Sequence, residues 1–282
     1  MVLTNKDTIK DILKENNLWA KKSLGQNFLI SQDILNKIIN SAKISDTDNI
    51  VEVGPGLGVL TNELAKKANL VLIIEKDRKL VELLRKQFKS EKNVKIVCQD
   101  ILIYDLENIN YDYKVVANIP YQITSPLIRK FLTSEKKPQE LILMVQKEVA
   151  ERICAKAGSS ERGFLTVLVE FYSKAEIIDY VPSNCFWPEP KVDSAIIKLV
   201  TSNKQHGAKN IDTKAFFRLV KIGFSQKRRQ IHHPLRYGLN LPKNQIIDIL
   251  NRAGIEKSLR AEDLSLEDWI KLFNILHSNF NK

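Results

Sequence analysis

The sequence predicts an α/β protein: a mostly parallel sheet of seven strands covered by helices, followed by a small all-α domain. Three observations predict it. Short apolar runs alternate with helix-like segments through the first half of the 282-residue chain, the pattern of strands buried on both faces and joined by crossover helices. The first run leads into a glycine-rich turn. Beyond a polar stretch that starts at Thr201, the pattern is helical alone.

The elements follow in order. Ile50–Val53 reads as a short buried strand, and Val59–Lys67 as the helix after it. Leu70–Ile74 is a second strand, followed by a helix over Lys79–Phe88. Val94–Val97 and Lys114–Ala117 are the third and fourth strands. Leu141–Val145 is the fifth, with a helix over Lys147–Ala155. Gly163–Tyr172 is apolar on all sides and fits helix or strand; helix is the preferred reading. Ala175–Val181 and Ser194–Val200 read as a final pair of strands. Pro182, Pro188 and Pro190 punctuate the loop between them, because proline cannot donate to a strand ladder. The polar stretch Thr201–Thr213 contains Gly207 and marks a boundary, giving domains of 1–203 and 204–282. Helical patterns then cover Lys214–Phe224, Lys243–Ala253 and Leu266–His277, with Gly254 as a C-cap.

Composition narrows the class. Hydrophobic residues make up 44% and charged residues 27%, which fits a folded globular protein and neither disorder nor coiled coil. Lys plus Arg outnumber Asp plus Glu by 44 to 33, giving a net charge of +11 and a pI near 9.4. That excess suits a polyanionic partner. Cys98, Cys154 and Cys185 are far apart and form no C-x-x-C pair, as expected of reduced thiols in the cytoplasm. His206, His232, His233 and His277 complete no ligand cluster, so no metal is expected. Met1–Lys22 alternates charged and apolar residues and is no secretory signal. No run reaches the length of a membrane span. A cytoplasmic protein without a membrane partner is expected.

The turn Val51-Glu-Val-Gly-Pro-Gly-Leu-Gly58 runs from strand into helix. Gly54, Gly56 and Gly58 remove side chains where the backbone must turn sharply and a ligand must approach the main chain. Glu75 ends the second strand, 21 residues beyond Gly54, and Asp100 follows the third. A carboxylate at the first place can accept both hydroxyls of a ribose, and one at the second an adenine amino group. Taken singly, Glu75 reads as a solvated strand end and Asp100 as a helix cap. Together with the glycines they favour a nucleoside-containing cofactor at the carboxyl ends of neighbouring strands. The spacing G-P-G-L-G departs from the dinucleotide G-x-G-x-x-G and resembles the loop of S-adenosylmethionine-dependent methyltransferases.

Asn118-Ile119-Pro120-Tyr121 directly follows the fourth strand. Its chemistry suits methylation of an amino group on a planar base. Such an amine is a poor nucleophile, because its lone pair is spread into the ring. The Asn118 side-chain oxygen and the Ile119 carbonyl are two acceptors for its hydrogens. Pro120 restricts the backbone that holds that carbonyl. Tyr121 offers a ring on which a flipped base can stack. Standing alone, the tetrapeptide would read as a proline turn with a buried tyrosine. No strong base is required, since a sulfonium methyl donor is already activated.

On these motifs the chain resembles the ribosomal RNA adenine dimethyltransferases, and among them the bacterial small-subunit branch. The likeness runs from Lys21 to about Trp269. Besides the segments above it includes Lys22-Ser-Leu-Gly-Gln-Asn-Phe-Leu29, Met144-Val-Gln-Lys-Glu-Val-Ala-Glu-Arg152, Phe186-Trp-Pro-Glu-Pro-Lys-Val-Asp-Ser194 and Phe224-Ser-Gln-Lys-Arg-Arg229. The resemblance implies a Rossmann-like methyltransferase domain that uses S-adenosylmethionine and releases S-adenosylhomocysteine. It implies cofactor contacts from Asn27, Leu29, Gly54, Gly56, Glu75, Asp100 and Asn118, and a catalytic role for Asn118, Ile119, Pro120 and Tyr121. It implies two adjacent adenines near the 3′ end of small-subunit rRNA, each dimethylated within an assembling 30S subunit. A monomer is the default. The chain departs from the family pattern at Ser31, where aspartate is frequent, at Gln122, and in Gln230-Ile-His-His-Pro234. The last change bears on RNA contacts of the small domain.

Lys21, Lys22, Lys227, Arg228 and Arg229 are candidate RNA contacts, since Lys and Arg beside aromatic rings such as Phe224 and His232 suit phosphates and stacking. Phe216, Phe217, Trp269 and Phe273, at helical spacing, read as core. Lys191–Ser194 fits a cleft lining or a strand-leading turn equally. Two other functions compete: a resistance-type methyltransferase of large-subunit rRNA, and a non-catalytic ribosome-assembly factor that keeps the fold.

Overall fold

All seven expected strands are strands in the computed structural model of the chain, which describes residues 3–21, 25–202 and 211–280. In chain order the N-terminal part holds helix α1 (Lys6–Glu15), strand β1 (Phe28–Leu29), α2 (Gln32–Ala42) and β2 (Asn49–Val53). Then come α3 (Val59–Ala65), β3 (Leu70–Glu75), α4 (Arg78–Gln87), β4 (Val94–Cys98) and β5 (Lys114–Asn118). They are followed by α5 (Thr124–Thr133), β6 (Glu140–Gln146), α6 (Lys147–Ile153), α7 (Phe164–Tyr172), β7 (Ser173–Val181), β8 (Phe186–Trp187) and β9 (Ser194–Thr201). The C-terminal helices are α8 (Thr213–Gly223), α9 (His232–Leu239), α10 (Lys243–Ala253) and α11 (Leu266–Phe280).

Seven strands form one sheet in the order β4-β3-β2-β5-β6-β9-β7. The first five are parallel, and β9 runs antiparallel to β6. The central runs of β3 and β6 are buried throughout, as strands covered on both faces must be, whereas β4 at the edge is half-exposed. Chain order reverses at β2, which has β3 on one side and β5 on the other. Open α/β sheets bind ligands at such a switch point, beyond the carboxyl ends of the strands.

Caps explain where helices begin. Ser31 caps α2 by accepting the Ile34 N–H on its hydroxyl at 3.4 Å. Serine therefore fills the cap at the position where the family often has aspartate. Asp77 caps α4 and Asp212 caps α8. Gly254 ends α10 with φ +71°, as its place in the sequence predicts.

Helices α1, α2, α5 and α9 stand where the sequence pattern predicts no element. The ribbon of β1 with β8 is likewise new; it pairs Phe28 with Trp187 and Leu29 with Phe186. The chain divides into two units, Met1–Ala150 with Lys174–Thr201, and Glu151–Ser173 with Ser202–Lys282. Residues 151–173 thus group with the C-terminal helices, although the sequence pattern keeps them with the sheet. The reason is packing: Val167 and Phe171 of α7 lie in one cluster with Phe216, Leu235, Leu250 and Trp269. A segment apolar on all sides is a helix inside a helical core. The expected boundary between 203 and 204 lies outside the described residues.

Candidate active site

The first unit contains a cleft at the carboxyl ends of β2, β3, β4 and β5. Its lining includes Asn27, Leu29, Gly54, Gly56, Glu75, Asp100 and all of Asn118–Tyr121. Residues up to 94 positions apart in sequence are therefore brought to one place.

The glycine turn is built from left-handed residues: Gly54, Gly56 and Gly58 have φ of +62°, +61° and +78°. A β-carbon on Gly56 would meet the Phe28 ring at 3.2 Å. One on Gly58 would lie 2.8 Å from the Phe88 ring. Gly58 thus serves packing beneath the turn, while Gly54 and Gly56 face the cleft.

Glu75 ends β3, buried, with its Oε1 accepting the Asp77 N–H at 2.7 Å. No cation forms an ion pair with it among the described residues. Burial pushes its pKa above the usual carboxylate range, opposed by the Asp77 and Lys76 main-chain N–H groups. Asp100 accepts the Leu102 N–H at 2.9 Å, and Lys76 Nζ lies 3.7 Å from its other oxygen. An inward carboxylate on one strand end and a second on the next fit a ribose and an adenine amine lying across them.

Asn118 Nδ2 donates to the Asn27 carbonyl at 3.5 Å, which leaves its Oδ1 to accept. Ile119 is buried between Asn118 and Pro120. Tyr121 shares a 2.6 Å hydrogen bond with the hydroxyl of Ser194, the first residue of β9. Burial raises the Tyr121 pKa, with the Ser194 bond lowering it, so the phenol remains protonated at neutral pH.

Two further residues shape this region without standing out in the sequence. Ser194 is fully buried and fixes the Tyr121 ring from a strand 73 residues away. Glu52 lies on β2, 1% exposed, and lines the cleft. Its Oε2 accepts the Thr61 hydroxyl at 2.6 Å, and burial pushes its pKa up to about 8. A lone carboxylate inside the run Ile50–Val53 was the available signal.

The basic candidates fare differently. Lys21 is engaged: its Nζ lies 2.6 Å from Asp77, whose carboxylate is almost fully buried. Lys22 lies outside the described residues. Lys227 donates to the Ser160 carbonyl and lies 4.0 Å from Glu262. Arg228 and Arg229 are exposed and form no ion pair among the described residues. The expected aromatic flank turns inward instead: half-buried Phe224 packs on Trp269 at 5.8 Å, and buried His232 holds the Lys257 carbonyl at 3.1 Å. Phe216, Trp269 and Phe273 are buried, as expected of core. No group of three or more His, Cys, Asp or Glu suited to a metal occurs among the described residues. No helix among them is long and apolar enough to cross a membrane.

The family model for ribosomal RNA adenine dimethylase matches residues 3–278. The ribosomal RNA small subunit methyltransferase A of Dehalococcoides mccartyi is 44% identical over 93% of this chain and 90% of its own length. The protein of the same name from Clostridioides difficile is 39% identical over 98% and 97%. Among solved structures, a dimethyladenosine transferase from Plasmodium falciparum superposes with a TM-score of 0.79 at 29% identity, covering 89% of this chain and 98% of that one. The 23S rRNA methyltransferase ErmE superposes at 0.70 with 26% identity, covering 89% and 100%.

Proposed function

This chain belongs to the ribosomal RNA adenine dimethylase family, and on that premise we propose that it dimethylates two adjacent adenines near the 3′ end of small-subunit rRNA. The substrate is the assembling 30S subunit in the cytoplasm, and the protein acts as a monomer. The observation that carries the reading is the Asn118–Tyr121 tetrapeptide at the carboxyl end of β5, in one cleft with Glu75 and Asp100.

The lining fits S-adenosylmethionine. When bound, it would meet Glu75 with its ribose hydroxyls and Asp100 with its adenine amine, while Gly54 and Gly56 would admit the rest against bare main chain and Asn27 and Leu29 would cover it. When bound, the cofactor supplies a methyl group on a sulfonium sulfur, already an electrophile. What remains for the protein is to position the amine. Asn118 Oδ1 and the Ile119 carbonyl accept the two amine hydrogens and favour a pyramidal nitrogen, whose lone pair then points at the methyl. Tyr121, fixed by Ser194, stacks on the extruded base. The proton shed after transfer goes to solvent. A second turnover on the monomethyl amine uses the one hydrogen left.

The test is incubation with labelled S-adenosylmethionine and unmodified small subunits, then mapping of the label. Dimethyladenosine at two neighbouring positions near the 3′ end is expected. Label on large-subunit RNA alone would reassign the enzyme to the resistance type. Subunit binding without any label would make it an assembly factor.

A further inference from the structure

Strand β7 is the outermost strand of the sheet, and its alternate residues Lys174, Glu176, Ile178 and Tyr180 are exposed. Three of these are ordinary edge residues. Tyr180 differs in two ways. It is a large ring left 47% exposed, and Lys147 Nζ lies over it, 5.3 Å from the centroid. The contact places a positive charge against the ring.

Hydrogen bonds fix the main chain of both residues. The Tyr180 N–H donates to Asp179 Oδ1 at 2.8 Å, and the other Asp179 oxygen pairs with Lys37. The Lys147 N–H donates to the Asp193 carbonyl at 3.0 Å, and the Ser183 N–H donates to the Asp193 carboxylate at 3.0 Å. One residue further, Ser194 holds the Tyr121 hydroxyl. Gln146, which precedes Lys147, is the register partner of Ser194. Lys147 therefore follows by one residue the register partner of Ser194, the anchor of the target-base ring, and its ammonium lies over Tyr180. Lys191 and Val192, in the same turn, are exposed.

We propose that Tyr180, with Lys147 across its ring, is the stacking platform for the nucleotide next to the target adenine, with Lys147 and Lys191 meeting its phosphates. The inference rests on reading Tyr121 as the target-base site. Extruding one base leaves its neighbour unstacked, and single-stranded RNA regains that stacking on an exposed aromatic ring beside cations. The occupant is RNA rather than protein, because the face sets an exposed aromatic ring beside two lysines.

The test uses the full chain as wild type, Tyr180→Ala, Tyr180→Phe and Lys147→Met. Binding of S-adenosylhomocysteine by calorimetry should be alike in all four, which reports an intact fold and cofactor cleft. In methylation of unmodified small subunits, Tyr180→Ala should raise KM by about tenfold with kcat nearly unchanged, while Tyr180→Phe behaves as wild type. Lys147→Met should raise KM less and flatten its salt dependence. With a single-stranded RNA carrying 2-aminopurine beside an adenine, wild type and Tyr180→Phe should quench the fluorescence, and Tyr180→Ala should not. Wild-type KM and quenching in Tyr180→Ala would overturn the platform and leave the reaction standing. Quenching that needs Tyr180, in a protein that methylates no RNA, would support the platform and sink the reaction.

Discussion

Glu75 and Tyr121 act at different points, and single substitutions separate them. Glu75 is a buried carboxylate that forms no ion pair among the described residues, so a ligand hydroxyl bonded there gains a charge-assisted hydrogen bond. Glu75→Ala should weaken S-adenosylhomocysteine binding about ten- to hundredfold by calorimetry; an unchanged affinity would remove Glu75 from the cofactor site. Tyr121→Ala should leave that affinity alone and lower kcat. Both residues were candidates in the sequence, since Glu75 ends one apolar strand run and Tyr121 lies in the turn after another. Glu52 was not among the candidates: a lone carboxylate stands out in the run Ile50–Val53, but its partner Thr61 lies on another element. It makes a prediction of its own. With its pKa pushed up to about 8, the folded protein keeps a proton that the unfolded chain releases in the ordinary carboxylate range. The folded state then binds more protons between the two values, so Glu52 lowers stability as pH rises from about 4.5 to about 8. Glu52→Gln keeps an acceptor for Thr61 and removes the titration. Its unfolding midpoint should fall less than that of wild type between pH 5 and 8, a difference on the order of a few kcal/mol. Parallel curves for the two proteins would refute the assignment.

At the scale of elements, what the sequence revealed follows from period. Strands β2 to β6 and helices α3, α4, α10 and α11 were found within a few residues, because each carries its own apolar pattern and terminal signals. The β1–β8 ribbon was invisible, since two residues carry no period and the pairing joins segments some 160 positions apart. Helix α7 was ambiguous for the opposite reason: residues apolar on every side show no face. Its place is fixed by Arg162, fully buried just before it. The guanidinium makes a two-pronged pair with Glu170 at 2.8 and 2.6 Å and donates to the carbonyls of Ala155 and Leu264. One side chain therefore ties both ends of α7 and the segment leading into α11. Arg162→Met retains the volume but strands four acceptors, and should destabilise the second unit by about 3 kcal/mol or more. Urea unfolding followed by near-ultraviolet circular dichroism measures this. A loss under about 1 kcal/mol would mean that apolar packing alone holds the helix.

For the whole molecule, the net charge of +11 says that RNA is attracted, and only the structure says by which groups. Lysine runs look alike in sequence, but their ends differ. Lys21 is held by Asp77, and Lys227 by Ser160 and Glu262. An ammonium already paired with a carboxylate gives up that partner on meeting a phosphate, so it gains little and releases few counterions. Arg228 and Arg229 have no such partner among the described residues and reach into solvent. Replacing both by Ala should weaken small-subunit binding and lower the slope of log affinity against log salt by roughly two, about one for each phosphate no longer neutralised. Lys227→Ala should leave that slope close to wild type, and S-adenosylhomocysteine affinity should be unchanged in every variant. Small-subunit binding by wild type and both variants across a salt series reads the slopes, and calorimetry reads the S-adenosylhomocysteine affinity. A slope that drops with Lys227→Ala and holds in the double arginine variant would mean that the paired lysine, not the free arginines, meets the RNA backbone.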